Sequence, residues 1–162
     1  TGADNVVAWR TGYPFGVNLA RGYPRFNPGE YTASDVLARG EADAAIIIAS
    51  DPMANFSERA REHLKSIPYI AFDPKETPTT RNAEVAFTVA TYGINVPGTV
   101  YRMDDIPIPL RPAFDCHHPS DLEILQAIEA RVQEIRVQGF HSTEENTSLR
   151  PARELADGSI AE

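Results

Sequence analysis

Two acidic turns, each placed directly after an apolar run, are the residues of this sequence best suited to hold a ligand. One turn contains Asp51 and follows residues 44–49 (AAIIIA), and the other contains Asp73 and follows residues 67–72 (IPYIAF). A carboxylate accepts hydrogen bonds from the N–H groups of a heterocycle or from ribose hydroxyls. The residues of these turns that we predict to line a binding crevice are Ser50, Asp51, Pro52 and Asp73.

The loop after the second turn adds hydroxyl groups, which are carried by Thr77, Thr79 and Thr80. A helix is predicted to begin after Asn55, and the free N–H groups of its first turn suit a phosphate. An Asp-Pro pair after a strand is also an ordinary turn, in which the Asp side chain accepts from its own backbone. That interpretation stays open for either turn alone, whereas two such turns in one unit favour a crevice.

Arg21 and Arg25 are the arginines most suited to a ligand phosphate, because the planar guanidinium donates in a fork to phosphate oxygens. Both lie in residues 11–30, a predicted loop rich in Gly and Pro. A surface ion pair is the alternative for each. The loop also carries aromatic side chains, which we expect to fix it onto the core and which alternatively line a cofactor: Tyr13, Phe15, Tyr23, Phe26 and, just beyond it, Tyr31.

The segment DCHHPSD, residues 115–121, is dense in metal-binding residue types. Neighbouring His117 and His118 are poorly placed to reach one metal ion, and no second Cys/His group follows at zinc spacing. We expect a solvated loop before a helix and assign no metal ligand. Asp104 and Asp105 are adjacent on an extended segment and are expected to point in opposite directions, so we assign them no general acid/base role.

The elements that position the acidic turns follow a βαβ pattern. Residues 44–49 form a continuous apolar run, which is typical of a parallel strand buried on both faces. Residues 57–66 (SERAREHLKS) favour a helix, and residues 67–72 return as a strand. Because the carboxyl ends of parallel strands share one edge, both turns are expected to face one volume. We predict an α/β fold with a mostly parallel, Rossmann-like sheet.

Further elements are predicted around this unit. A short strand is expected over residues 4–9, with Trp9 in the core, and a third strand over residues 84–90. A helix begins at Thr32 and ends at Gly40. Pro97-Gly98 suits a type II turn, which predicts a hairpin that continues into residues 101–110.

The strongest helix start is the capping box Ser120-Asp121-Leu122-Glu123. An apolar stripe predicts an amphipathic helix to about residue 138, where Gly139 ends it. The stripe consists of Leu125, Ile128, Val132 and Ile135. We expect one α/β domain over residues 1–138 and a loosely ordered tail over 139–162.

Composition limits the classes of function. The chain has 162 residues and a net charge of −8, which argues against nucleic-acid binding. One cysteine fits a reducing compartment, and thus the cytoplasm. No apolar run approaches the ~20 residues of a membrane span. The start, TGADNVVAW, lacks a signal-peptide layout and an initiator Met, and we expect a piece of a longer protein.

Over roughly residues 1–135 the chain resembles the carboxyl-terminal part of the B subunit of formylmethanofuran dehydrogenase. The resemblance is carried by RGYPRFNPGE (21–30), IPYIAFDPKETPTTRNAEVAF (67–87), GINVPGTVYRMDDIPIPLR (93–111) and PSDLEIL (119–125). The layout is also similar to the wider molybdopterin oxidoreductase superfamily, with departures. Ala49 and Asp51 stand where that pattern has Gly and Asn, and Thr88 where it has Pro.

The resemblance implies a tungsten- or molybdenum-bis(pyranopterin guanine dinucleotide) enzyme that reduces CO2 to formate in methanogenesis-type one-carbon metabolism. A partner subunit would transfer the formate to methanofuran, and a ferredoxin-type donor would supply electrons. Residues 50–52, Asp73 and the threonine loop would hold part of one guanine dinucleotide. The metal-binding and iron–sulfur cysteines of such subunits lie nearer the amino terminus, and Cys116 does not match them. The chain alone is therefore not expected to be a complete redox catalyst.

Two alternatives come from other classes of protein. Similar subunits occur in bacterial formyltransferase/hydrolase complexes, where the fold would serve assembly without a metal. The βαβ organisation by itself also fits a free-standing nucleotide-binding module.

Overall fold

The computed structural model describes the backbone of residues 2–148 and the side chains of residues 3–138. These residues form two compact units, which divide after Asp121. The elements are α1 (Gly2–Thr11), β1 (Val17–Asn18), β2 (Arg25–Phe26), α2 (Ala33–Ala38), β3 (Ala45–Ile48), α3 (Pro52–Asn55), α4 (Glu58–Ser66), β4 (Tyr69–Asp73), α5 (Pro78–Asn82), β5 (Val85–Thr88), β6 (Gly98–Tyr101), β7 (Pro107–Leu110) and α6 (Asp121–Ser148).

A three-stranded parallel sheet, in the order β3-β4-β5, organises the first unit. Ile48, Phe72 and Phe87 lie side by side across it. Helices α3 and α4 connect β3 to β4, and α5 connects β4 to β5. The predicted α/β fold with βαβ units is confirmed.

One face of this sheet packs on α2 and α4. Leu37 of α2 and Ala60 and Leu64 of α4 contact Tyr69 and Ala71 of β4 in one buried cluster. Ala60 and Leu64 lie four residues apart and so share one side of their helix, and neither is exposed to solvent. This cluster is the core that supports the carboxyl edge of the sheet.

The first predicted helix is present with its predicted caps. The Thr32 hydroxyl accepts from the Asp35 N–H and donates to the Asp35 carboxylate. Gly40, with φ of +71°, follows the end of α2, in the left-handed conformation that only glycine adopts without strain. The helix predicted to begin after Asn55 corresponds to α4, which is capped by Ser57 and begins at Glu58. A one-turn helix that was not predicted, α3, precedes it.

The first segment differs from the prediction, because residues 4–9 belong to helix α1 and not to a strand. A short apolar run does not distinguish a strand from a helix by its periodicity. Asp4 in the first turn and Arg10 in the last turn complement the helix dipole. Trp9 is 68% exposed and lies edge-on to Tyr101, so its predicted place in the core was wrong.

The hairpin forms one segment later than predicted. Strands β6 and β7 pair antiparallel, and the turn between them is closed by the Asp105 N–H, which donates to the Arg102 carbonyl at 3.0 Å. Pro97-Gly98 lies at the entrance to β6 instead of the turn. Pro107 and Pro109 occupy β7, which pairs on one side only. Proline lacks an N–H donor and suits such an edge strand.

Helix α6 begins at Asp121, as the capping box predicted, and continues past Gly139 to Ser148. Its predicted end at Gly139 was wrong, because one glycine within a long helix costs only about 1 kcal/mol relative to alanine. The domain boundary at residues 138/139 stays a prediction. Residues 149–162 of the predicted tail lie outside the described residues.

Candidate functional site

The two acidic turns lie at the same edge of the sheet. Ile48 aligns with Phe72 across the parallel strands β3 and β4. Asp73 is the last residue of β4, and Asp51 follows the end of β3 by three residues. Both carboxylates therefore leave the carboxyl edge, where ligands bind in open α/β sheets.

Asp51 is joined directly to the loop that follows β4. The Thr79 N–H and hydroxyl both donate to Asp51 Oδ1, at 3.2 and 2.5 Å. The Met53 N–H donates to the same Thr79 hydroxyl at 3.1 Å. Because both bonds from Thr79 end on Oδ1, Oδ2 of Asp51 is left for another donor.

The hydroxyls of Thr77 and Thr80 are used within helix α5. The Thr80 N–H donates to the Thr77 hydroxyl at 3.1 Å, and the Thr77 N–H donates to the Thr80 hydroxyl at 2.8 Å. This reciprocal capping box fixes the start of α5. Thr77 and Thr79 are buried, whereas Thr80 lines an open crevice. Of the three predicted threonines, Thr80 has the best access to a ligand.

Asp73 closes its own turn by accepting from the Lys75 N–H at 3.0 Å through Oδ1. This is the ordinary turn that the sequence left open as an alternative. Asp73 nevertheless lines the crevice, of about 350 Å³, together with Thr80 and Thr88. Its side chain therefore forms the turn and also borders the open volume.

Sequence reasoning missed two basic residues of this crevice, Lys75 and Arg81. Arg81 forms an ion pair with Glu76, and both side chains are largely exposed. The signal was present, because both basic residues lie in the segment between the Asp73 turn and β5, Arg81 within helix α5. The crevice thus combines carboxylates, which accept from the N–H groups of a heterocycle, with two cations, which donate to a phosphate.

The predicted arginines lie elsewhere. Arg25 donates to the Tyr31 hydroxyl, and its guanidinium carbon lies 4.9 Å from the centre of that ring. Arg21 is exposed, and neither arginine lines the crevice at the carboxyl edge. In the same loop, Tyr13 stacks on Phe26 at 5.0 Å, which agrees with a role of these aromatics in fixing the loop.

The backbone at the end of β3 is unusual. Ala49 has a φ of +50°, which costs a residue with a Cβ roughly 1–2 kcal/mol. Its N–H still continues the sheet by donating to the Phe72 carbonyl at 2.9 Å. The turn redirects the chain so that Ser50 is exposed, while Pro52 is buried at the start of α3.

Two pKa shifts reflect the charge at this edge. Burial, and secondarily the Asp51 charge, raise the pKa of Tyr69, whose hydroxyl donates to the Thr79 carbonyl at 2.8 Å. Burial and the charge of Asp73 raise the pKa of Asp121. Asp121 Oδ1 is buried without a hydrogen-bond partner among the described residues. The proximity of Asp73 and Asp121 makes this part of the edge strongly acidic.

No cluster of three or more His, Cys, Asp or Glu residues able to hold a metal ion occurs in the part of the chain that the structure describes. Cys116 is half-buried, and its sulfur accepts from the His118 N–H at 3.4 Å. Within the same described residues, no helix is both long and apolar enough to cross a membrane.

Comparison with known proteins gives the relationships of the chain. No family model matches it. It is 48% identical over 136 residues to the B subunit of tungsten-containing formylmethanofuran dehydrogenase 2 of Methanocaldococcus jannaschii, covering 83% of this chain and 31% of that protein. It is 42% identical over 137 residues to the protein of the same name from Methanococcus maripaludis, covering 83% of this chain and 32% of that one. The chain thus spans about a third of the length of these relatives.

The fold has a solved counterpart at lower identity. A chain in the crystal structure of the formyltransferase/hydrolase complex of Methylorubrum extorquens with methylofuran superposes with a TM-score of 0.65 at 24% identity. The match covers 84% of this chain and 38% of that one, and it supports the fold alone. The sequence matches go further and confirm the family resemblance: the chain is homologous to part of the B subunit of formylmethanofuran dehydrogenase.

Proposed function

We propose that the chain is a cofactor-positioning part of the B subunit of a tungsten or molybdenum formylmethanofuran dehydrogenase. The observation that carries the proposal is the 48% identity over 136 residues to a B subunit whose enzyme is named as tungsten-containing. The cofactor, a metal-bis(pyranopterin guanine dinucleotide), would supply the redox chemistry between CO2 and formate. The residues of this chain would bind and orient it.

The donor set at the carboxyl edge fits one guanine nucleotide of such a cofactor. Guanine carries two adjacent N–H donors, which match a carboxylate acceptor such as Asp51 Oδ2. The cations Lys75 and Arg81 match a pyrophosphate. Thr80 supplies a hydroxyl beside them, and the exposed Ser50 supplies one in the turn before Asp51. Thr77 and Thr79 hold the loop, and they act on the ligand through Thr80 and Asp51.

Asp73 is a wall residue of the proposed crevice, whereas Pro52 does not line it and acts on the site through Asp51. Asp73 borders the open volume while one of its oxygens closes the turn. Pro52 is buried at the start of α3, so it shapes the turn that presents Asp51. Arg21 and Arg25 remain in the proposal only as residues of the loop over 11–30, which would contact the cofactor from outside this crevice.

The remaining requirements of the enzyme would come from other polypeptide segments. Metal-binding and iron–sulfur cysteines would belong to the parts of the B subunit that this chain does not match. The other subunits of the complex would transfer the formyl group, and a ferredoxin-type protein would donate electrons. The assembly would work in the cytoplasm.

A non-catalytic assembly role is the second candidate, and the specific observation behind it is the shared fold with a chain of the formyltransferase/hydrolase complex. A chain that only scaffolds would bind neither tungsten nor a guanine nucleotide. Metal content therefore separates the two candidates. Tungsten or molybdenum near one atom per B subunit in the purified complex favours the dehydrogenase, and its absence favours the scaffold.

The test of the crevice is the cofactor content of the assembled complex. Lys75→Ala and Arg81→Ala should lower the guanosine monophosphate released by acid hydrolysis severalfold, because each removes a cation from the proposed pyrophosphate site. Arg59→Ala, at an exposed position of α4, is the matched control and should retain the full amount. Unchanged cofactor content in both crevice variants would exclude the proposed site.

A further inference from the structure

The three-stranded sheet has a second face that is apolar throughout. Cross-strand alignment places Ile46, Ile70 and Val85 in one row. The next row on the same face contains Ile48, Phe72 and Phe87, because side chains two residues apart point the same way. No polar or charged side chain interrupts these two rows.

Much of this face is open to solvent. The exposed fractions are 56% for Ile46, 41% for Ile48 and 43% for Val85. Phe72 is buried, and its ring centre lies 5.3 Å from that of Phe87. A groove of about 500 Å³ runs beside Ile46, Pro68, Ile70 and Val85. The opposite face, with Tyr69 and Ala71, is buried under helices α2 and α4.

The asymmetry between the two faces is unusual for this kind of sheet. Parallel strands occur almost only in sheets whose two faces are both covered. A contiguous exposed apolar patch rimmed by polar residues marks an interaction surface. We call this surface the open face and define it by Ile46, Ile48, Ile70 and Val85. The open face therefore requires a covering partner.

The length of the relatives indicates which partner covers the open face. The chain matches only 31% and 32% of the two related B subunits, so about two-thirds of each lies outside the match. In α/β domains helices cover both faces of a mostly parallel sheet around one hydrophobic core. We propose that the open face packs against the apolar side of one or more helices from the part of the B subunit outside the matched segment.

This inference rests on one part of the proposed function, namely that the chain belongs to a longer B subunit. The open face lies on the side of the sheet, whereas Lys75, Thr80 and Arg81 lie at its carboxyl edge. Loss of cofactor binding would leave the packing intact. Loss of the packing would be detected without any cofactor measurement, so the two proposals fail separately.

Thiol labelling measures whether the open face is covered. In a Cys116→Ser background, Ile48→Cys and Val85→Cys each place one reporter on it, and Glu62→Cys on the exposed side of α4 is the control. Each variant is prepared in this chain and in a hybrid in which this chain replaces the matching segment of the Methanocaldococcus jannaschii protein. Both reporters should react with a maleimide at least about tenfold more slowly in the hybrid, since reaction then requires local opening. Glu62→Cys should react at similar rates in both.

Equal rates for the open-face reporters in the hybrid and the isolated chain would overturn the proposal. Slow labelling of the reporters already in the isolated chain, with rates that decrease as the chain concentration increases, would overturn the proposal and indicate that a second copy covers the open face.

A co-purification experiment tests the same proposal if the hybrid does not fold. The part of the Methanocaldococcus jannaschii protein outside the matched segment is expressed separately and mixed with this chain. The remainder should bind this chain and lose binding with Ile46→Lys/Ile48→Lys, but not with Leu19→Lys, a matched change at an exposed leucine. No binding, or equal binding to all three, would also overturn it.

Discussion

Thr79 is fully buried although its hydroxyl is polar, and its hydrogen bonds explain why. It donates to Asp51 and accepts from the Met53 N–H, so one side chain ties the loop after β4 to the turn after β3. The pair holds Asp51 with one oxygen occupied and the other directed away from Thr79. A buried hydroxyl with both roles satisfied stabilises the fold. The same site without it leaves the Met53 N–H unpaired and removes one of the two hydrogen bonds to Asp51 Oδ1.

Thr79→Val should destabilise the chain by roughly 1–3 kcal/mol. Valine fills the same space, but its side chain cannot accept from the Met53 N–H and cannot donate to Asp51 Oδ1. Thr79→Ser keeps the hydroxyl and should cost about 1 kcal/mol for the lost methyl group. Urea unfolding followed by circular dichroism gives both values. Equal losses for Val and Ser would mean that packing, and not hydrogen bonding, explains the burial of this residue.

Ala49 holds a backbone conformation that usually belongs to glycine. Its φ of +50° is in the region that favours glycine. The chain retains the conformation without the residue that adopts it most easily. The N–H of Ala49 and the buried Pro52 on either side of the turn supply the contacts that hold this backbone in place.

At the scale of elements, the charge of Asp73 at the end of β4 acts on Asp121 at the start of α6. Asp121 begins α6, and its pKa is raised by burial and by the nearby Asp73. A group whose pKa is higher in the folded state than in the unfolded state adds stability at low pH. That contribution is lost as the pH increases through the raised pKa.

Asp121→Asn removes this dependence, because asparagine does not ionise. The melting temperature of the variant minus that of the wild type should therefore increase as the pH goes from about 4 to about 7. Thermal unfolding at a series of pH values measures it. Asp115→Asn, an exposed position in the preceding loop, is the control and should show little change. A difference that stays constant or decreases with pH would show that Asp121 is not held above its usual pKa.

The element boundaries show which local signals are reliable. Capping residues correctly predicted the starts of α2 and α6, because a cap side chain bonds to backbone only two or three residues away. The end of α6 was missed at Gly139, where a single glycine is not sufficient to stop a long helix. The turn of the β6–β7 hairpin was also missed, because strand pairing selects among several available turns and Pro97-Gly98 was not the one used.

At the scale of the whole molecule, the chain provides one side of a proposed nucleotide site. Its crevice at the carboxyl edge is open and is lined by the carboxylates of Asp73 and Glu76 and by the cations of Lys75 and Arg81. A bis(pyranopterin guanine dinucleotide) is far longer than this edge. Tight binding then requires contacts from polypeptide outside this chain.

The isolated chain is therefore expected to bind guanosine diphosphate weakly, with a dissociation constant of about 1 mM or higher, equivalent to no more than about 4 kcal/mol. Isothermal titration calorimetry measures this directly, with adenosine diphosphate as the control ligand. Micromolar affinity without any partner would contradict a cofactor fragment and support a free-standing nucleotide-binding module.

The sequence by itself determined the βαβ unit, the parallel sheet and the relationship to the formylmethanofuran dehydrogenase family. Continuous apolar runs, caps and motif residues are local features, and they act through neighbours a few residues away. Only the tertiary structure decided that Thr79 binds Asp51, that Lys75 and Arg81 border the crevice, and that Arg25 lies on Tyr31. It also decided that residues 4–9 are helical with Trp9 exposed. The helix over residues 4–9 was missed because a short apolar run does not distinguish a helix from a strand. The bond between Thr79 and Asp51 depends on side chains that meet across the fold, and contacts between residues distant in sequence leave no periodic or capping signal along the chain.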